Sequence, residues 1–163
     1  MAYINLARDR MRFTKNKASA NLAYVAILCN VLYFVSLYST NIDYYYNTGM
    51  GASVVYNLLF LLGVFLCSEG VKGYNVSYAI TLIVIGALQI VRIFKIPLEA
   101  FNATAVVSGV ERAVMELDQF IYVTILLTLS AVACIVAGVI CYLRAQALAE
   151  HNKLLEELDD AEA

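Results

Sequence analysis

Residues that could do chemistry are few in this chain, and most lie outside its long apolar stretches. Between residues 40 and 97 the only charged residues are Asp43, Glu69, Lys72, Arg92 and Lys95. The single histidine, His151, lies in a polar C-terminal stretch. The sequence holds no Ser/His/Asp set, no cluster of metal-ligand residues and no Gly-rich phosphate loop. We therefore expect a protein without enzymatic activity, cofactor or metal.

Arg92 and Lys95 stand where an apolar run meets the chain's only proline, Pro97. A charge inside hydrocarbon is a functional candidate by default, whereas a long basic side chain at the end of a span can bend into the lipid headgroups. Because proline disfavours helix at the residue before it, this stretch predicts an outer membrane boundary, with Arg92 and Lys95 as boundary charges. The alternatives are a ligand or partner contact of Arg92, or an ion pair with one of the acidic residues Glu99, Glu116 and Asp118.

Composition indicates which elements must position these charges. The chain of 163 residues is 62% hydrophobic and only 15% charged, against roughly a quarter charged in a typical soluble domain. Apolar runs lie at about 20–39, 52–69, 75–94 and 120–143. In hydrocarbon every backbone N–H and C=O needs a partner within the protein, so such runs must be helices. We predict an all-α polytopic membrane protein, a bundle of four transmembrane helices.

The four spans predict one membrane domain covering residues 1–163, with two helical ends. Residues 1–18 are basic and amphipathic and suit a helix on an anionic membrane surface, and residues 144–163 extend the fourth span as a helical tail. The five basic residues before the first span place the N-terminus in the cytoplasm. Four crossings return the C-terminus to the same side of the plasma membrane. The net charge of −2 gives no support for nucleic-acid binding.

The fourth span carries two rows of small residues at helical spacing. Such rows let helix backbones approach closely within a bilayer, where apolar surfaces gain little by leaving lipid. They serve either packing within this bundle or contact with another subunit. The candidate face consists of Ser130, Ala133, Cys134, Ala137, Gly138 and Cys141.

The C-terminal tail carries an apolar stripe that could dock on a cytoplasmic partner. Its residues are Leu148, Leu154, Leu155 and Leu158. The alternative is a tail that is simply solvated. Inside the spans the polar residues Asn30, Asn57 and Gln89 can bond between helices, and in a self-assembled channel or carrier they would line the pore.

Three stretches carry a resemblance to uncharacterised four-span membrane proteins of bacteria. They are NKASANLAYVAILCNVLYFVSLY, VFLCSEGVKGY and LQIVRIFKIPLEA, and the similarity spans roughly residues 15 to 101. Some of those proteins accompany ABC-type importers. The resemblance implies an accessory role in a lipid bilayer, beside other membrane protein subunits such as an ABC-type transporter. Together with the absent catalytic set, it leads us to expect a non-enzymatic accessory or assembly subunit of a larger membrane complex.

Overall fold

The computed structural model describes residues 6–38 and 48–162, and most of these are helical. The first five residues of the predicted N-terminal segment, the connection 39–47 and the last residue lie outside the described ranges. The helices are α1 (Leu6–Phe13), α2 (Lys17–Tyr38), α3 (Thr48–Gly70), α4 (Val76–Asn102) and α5 (Leu117–Glu162). Helices α2 to α5 are each long and apolar enough to cross a membrane.

The four long helices form a bundle in which α5 makes the most extensive contacts. Helix α5 packs along α4 and α2, while α3 packs less extensively against α2 and α4 on the other side. A short 3-10 turn, Val71–Gly73, joins α3 to α4. We call the end of the bundle with this turn the turn end. The opposite end, where α4 passes into α5, is the hairpin end.

Two clusters of buried side chains fill the bundle. The cluster nearer the turn end is built mostly of small residues, among them Ala20, Ala23, Ala26, Cys67, Ala79, Ala133, Cys134, Ala137 and Cys141. The cluster nearer the hairpin end has larger side chains, among them Tyr33, Leu37, Met115, Val123 and Leu127. The helices therefore approach closely at the turn end, and large side chains separate them at the hairpin end.

Helix α4 runs through Pro97 to Asn102, so the prediction that helix ends before this proline is wrong. Proline removes one hydrogen bond from the helix, to the carbonyl four residues earlier, and commonly kinks it. Packing of the last two turns compensates: Ala100 is buried, and the Phe101 ring stacks on Phe120 of α5 at 4.7 Å between centroids. Tertiary contact here outweighs the local preference.

A β-hairpin between α4 and α5 was not predicted by the all-α interpretation. Strand β1 (Thr104–Val107) pairs antiparallel with β2 (Val110–Ala113). Ser108 and Gly109 connect them with φ values of 53° and 80°, the backbone that a two-residue type I′ turn requires. The fold is thus an α-helical bundle with one short hairpin.

The N-terminal helix and the turn end are tied to α5. Asn16 caps α2 through its side chain, and its own N–H donates to the Lys72 carbonyl at 3.0 Å. Arg144 of α5 donates to the Asn16 side chain at 2.8 Å. Helix α1 then lies beside the part of α5 that extends past the bundle, where Arg8 meets Glu150 at 3.6 Å. Helix α1 therefore packs on protein along this side.

Candidate functional site

A polar network crosses the interior of the bundle between α2, α4 and α5. Asn30, Gln89 and Ser130 each lie on the face that their helix turns toward the others, and each is at most 2% exposed. Each of these residues lies within an apolar run of the sequence. Its helix packs against the other helices through apolar residues on the same face, and this packing buries the polar side chain as well. One residue from each of three helices thus meets at the same level.

Asn30 is the centre of this network. Its side-chain amide donates to the Ala26 carbonyl at 3.0 Å and to the Ser130 hydroxyl. Its carbonyl oxygen accepts from Gln89 Nε2 at 2.9 Å. The Ser130 hydroxyl donates in turn to the Ala26 carbonyl at 3.2 Å. These bonds hold α2, α4 and α5 in register, and leave the amide groups satisfied within one chain.

Arg92 lies one turn beyond Gln89 on α4 and points into the bundle. Its side chain is 2% exposed, so the guanidinium lies inside the bundle and is not turned outward as we expected of a boundary charge. Residues three apart share a helix face, and the buried Gln89 fixes that face as the interior one. Lys95, by contrast, is exposed, as a boundary charge would be.

Aromatic rings surround the buried guanidinium. The Arg92 Cζ lies 4.5 Å from the Tyr33 ring centre, 5.3 Å from that of Phe60 and 5.6 Å from that of Tyr56. Tyr33 comes from α2, and the other two rings come from α3. Ring faces attract a cation, most strongly where water is excluded. The rings therefore compensate part of the cost of burying this charge.

Hydrogen bonding to Arg92 is incomplete. Among the described residues, Nη1 alone donates, to Asn30 Oδ1 and to Gln89 Oε1, both at 3.4 Å, which is longer than the usual range for such bonds. The buried Nε and Nη2 atoms have no hydrogen-bond partner in the same part of the chain. Within the described part of the chain, Arg92 forms no ion pair, so none links it to Glu99, Glu116 or Asp118.

The unused donors form one edge of the guanidinium. Nε–H and one N–H of Nη2 point the same way, in the fixed fork that binds both oxygens of a carboxylate or phosphate. Arginine keeps its charge throughout the physiological pH range. The site as described therefore holds a permanent cation, caged by aromatic rings and lacking an anionic partner. A carboxylate or a phosphate is the kind of group whose geometry matches this edge.

The small-residue face predicted on α5 packs inside this chain. Five of its residues, Ser130, Ala133, Cys134, Ala137 and Cys141, are at most 8% exposed. At Gly138 a Cβ atom would lie 2.6 Å from the Ala79 carbonyl oxygen of α4. Of the two interpretations of this face, the structure therefore matches packing within the bundle.

The predicted stripe on the C-terminal tail is divided. Leu154 and Leu158 are exposed, while Leu148 and Leu155 are half-buried. His151 is 4% exposed and lies 3.7 Å from Asp9 of α1. Part of the tail is thus covered by this chain's own N-terminal helix, and only part stays open to another molecule.

Sequence reasoning missed the aromatic cage and the small face of α2. Ala20, Ala23 and Ala26 recur at a spacing of three, a signal for close packing that resembles the rows on α5. Nothing in the types of Tyr33, Tyr56 and Phe60 distinguishes them from lipid-facing aromatic residues.

Within residues 6–38 and 48–162, no group of three or more His, Cys, Asp or Glu residues could hold a metal ion.

Comparison of the chain with protein-family models, with curated proteins and with solved structures returns no match. The fold and the buried site define the class as a mainly helical protein whose four long apolar helices enclose a caged arginine.

Proposed function

We propose that this protein is a non-enzymatic accessory or assembly subunit of a larger membrane complex, such as a transporter of the ABC type. In this proposal α2 to α5 cross the plasma membrane, and both termini lie in the cytoplasm. Four helices of sufficient length and hydropathy support the crossing. The basic residues that precede α2 support the orientation. The resemblance of residues 15 to 101 to bacterial four-span proteins supports the accessory role.

The observation that carries the proposal is Arg92, whose Nε and Nη2 donors have no hydrogen-bond partner within residues 6–38 and 48–162. Taking a charge out of water costs several kcal/mol unless it is paired and hydrogen-bonded. Long bonds from Nη1 and three nearby rings offset only part of that cost. No carboxylate of the described residues pairs with this cation, and in this proposal the anionic group comes from a neighbouring chain.

A carboxylate on a helix of a neighbouring protein chain is the simplest anion to meet Arg92 at this position. Helix α3 covers the guanidinium with Tyr56 and Phe60, and it has the least extensive packing of the four long helices. Tyr56 is 40% exposed. An acidic partner helix that approaches α3 would reach Arg92 after a small displacement of these rings.

The alternative function, a self-assembled channel or carrier, finds less support. It requires Asn30, Asn57 and Gln89 to line a pore, yet each is at most 2% exposed. Asn30 and Gln89 bond to each other within one chain at 2.9 Å. Ion or solute flux in liposomes that contain this chain alone would favour the alternative.

Purification in gentle detergent, with a tag on this chain, tests the accessory role. We expect larger membrane chains to copurify with the wild type. With the variant Arg92→Gln, the amount of these chains that copurifies should fall by a factor of about ten or more. The reason is that removing one member of a buried charge pair costs several kcal/mol of binding free energy. The matched control Lys95→Gln removes an exposed charge from the same helix and should leave recovery unchanged. Recovery of this chain alone, or equal recovery from both variants, would contradict the proposal.

A further inference from the structure

An open basic groove lies at the turn end, between the α1–α2 connection and α5. Its lining includes three cations, Lys15, Lys17 and Arg144, together with Phe13 and Tyr74. Lys15 precedes α2, Lys17 begins it, and Arg144 follows the apolar run of α5. Residues from separate parts of the chain thus bring positive charge to one groove. The order of charges along the sequence does not reveal this cluster.

The carboxylates near this groove are already engaged by other cations. Asp9 lies 3.7 Å from Arg12. Glu69 pairs with Lys72, and Glu150 pairs with Arg8. Among the described residues no carboxylate lies within ion-pair distance of Lys15, Lys17 or Arg144. Glu69 also feels the charge of Lys15 at longer range, but it is bonded to Lys72, so the groove keeps a net positive charge.

The position of the groove matches the height of lipid headgroups if α2 to α5 cross a bilayer. Lys17 is the first residue of the apolar helix α2. Phe13 at the groove is 81% exposed, and an aromatic ring at this level suits the interface between headgroups and acyl chains. Arg144 is held by its bond to Asn16 at 2.8 Å, so one of the cations is already oriented.

We propose that this groove binds the phosphate of an anionic phospholipid, with Lys15, Lys17 and Arg144 around the phosphate and Phe13 against the acyl chains. The inference rests on the membrane insertion in the proposed function, but not on Arg92 or on any protein partner. The positive end of the α2 dipole adds to the field in the groove. Basic pockets at the cytoplasmic ends of membrane helices suit anionic headgroups.

Lipid binding by the full chain can be measured by native mass spectrometry from detergent micelles. The probes are phosphatidylglycerol, phosphatidylcholine with the same acyl chains, and inorganic phosphate. The test variant is the double substitution Lys15→Gln/Lys17→Gln. The matched control is Lys95→Gln/Lys153→Gln, which removes the same charge from two exposed sites outside the groove.

We expect the wild type to bind phosphatidylglycerol in preference to phosphatidylcholine. The groove variant should bind phosphatidylglycerol about thirtyfold more weakly, since each basic residue near a membrane surface contributes a factor of about five. The control should retain wild-type affinity, and both variants should melt as the wild type does in neutral lipid. Equal weakening in both variants would overturn the proposal. Displacement of the lipid by inorganic phosphate would overturn the assignment to a lipid. If the groove variant loses its preference for phosphatidylglycerol but still copurifies with larger membrane chains, the effect on lipid binding is distinct from a failure of the accessory role.

Discussion

The guanidinium carbon of Arg92 lies 4.5 Å from the ring centre of Tyr33, inside a bundle of apolar helices. This relationship joins α4 to α2 through a cation and a ring face, where an anion would be the usual partner. Cation–ring attraction is worth about 2 kcal/mol when water is excluded, less than the several kcal/mol that burying an ion costs. The remaining deficit is the physical basis of the predictions about Arg92.

Replacing Arg92 by methionine should leave the isolated chain as stable as the wild type or more stable. Methionine fills similar space without a buried charge, and such replacements are often neutral or stabilising by about 1–4 kcal/mol. Thermal unfolding in detergent, followed by circular dichroism, measures this. Destabilisation by more than about 2 kcal/mol would mean that Arg92 is already fully compensated within the chain.

The substitution Asn30→Leu should destabilise the bundle by about 1–3 kcal/mol. It removes the acceptor of the 2.9 Å bond from Gln89 Nε2 and the amide that donates to the Ser130 hydroxyl. The matched control is Thr128→Val on α5. Thr128 is exposed, and its hydroxyl donates to the Thr124 carbonyl of its own helix at 2.8 Å. Chemical unfolding of both variants in the same micelles compares them. Equal losses of unfolding free energy in the two variants would show that the network between helices contributes no more stability than a bond within one helix.

Gly138→Ala should be destabilising, whereas Gly63→Ala should not. A Cβ at position 138 would lie 2.6 Å from the Ala79 carbonyl oxygen, and backbone there cannot easily move. At position 63 the nearest atom is Ile85 Cδ1, an ordinary contact at 3.4 Å. We expect a loss of about 1–3 kcal/mol for the first and a small gain for the second, since alanine favours helix. Unfolding curves that rank the two variants the other way would contradict the close contact of α4 and α5.

Labelling of single cysteines in intact cells tests the crossing and the orientation. All four native cysteines are buried in the structure, so background labelling should be low. An impermeant maleimide should react with Glu111→Cys in the hairpin from outside, and with Lys153→Cys in the tail only after the membrane is opened. Both positions are exposed. Labelling of both from outside would exclude the proposed topology.

The length and hydropathy of the apolar runs explain which parts of this fold are predictable from sequence. The four long apolar runs correspond to α2 to α5, because length and hydropathy alone select helices there. The tail forms one continuous helix with the fourth run, as good helix formers predict. The all-α prediction did not include the Ser108–Gly109 turn. Ser-Gly is a turn-forming pair, and the strand before it, Thr104–Val107, holds three β-branched residues.

The candidate site was less predictable. Gln89 and Arg92 are three residues apart, and this spacing alone could have placed both on one interior face. The proline five residues after Arg92 favoured a boundary instead, because local propensity contains no information about the stacking of Phe101 on Phe120. The aromatic cage depends on how α3 lies against α2 and α4, and long-range packing of that kind has no signature in one sequence.

Photocrosslinking beside Arg92 tests the central claim most directly. A photoreactive phenylalanine at the exposed position of Tyr56, whose ring centre lies 5.6 Å from the Arg92 guanidinium carbon, should crosslink in native membranes to a second protein chain. The same group at exposed Leu129, next to Ser130 on α5, should not form that product. Adding Arg92→Gln should abolish the crosslink from position 56. A product that persists in Arg92→Gln, or no protein product from position 56, would contradict the claim that Arg92 receives an anionic group from a partner.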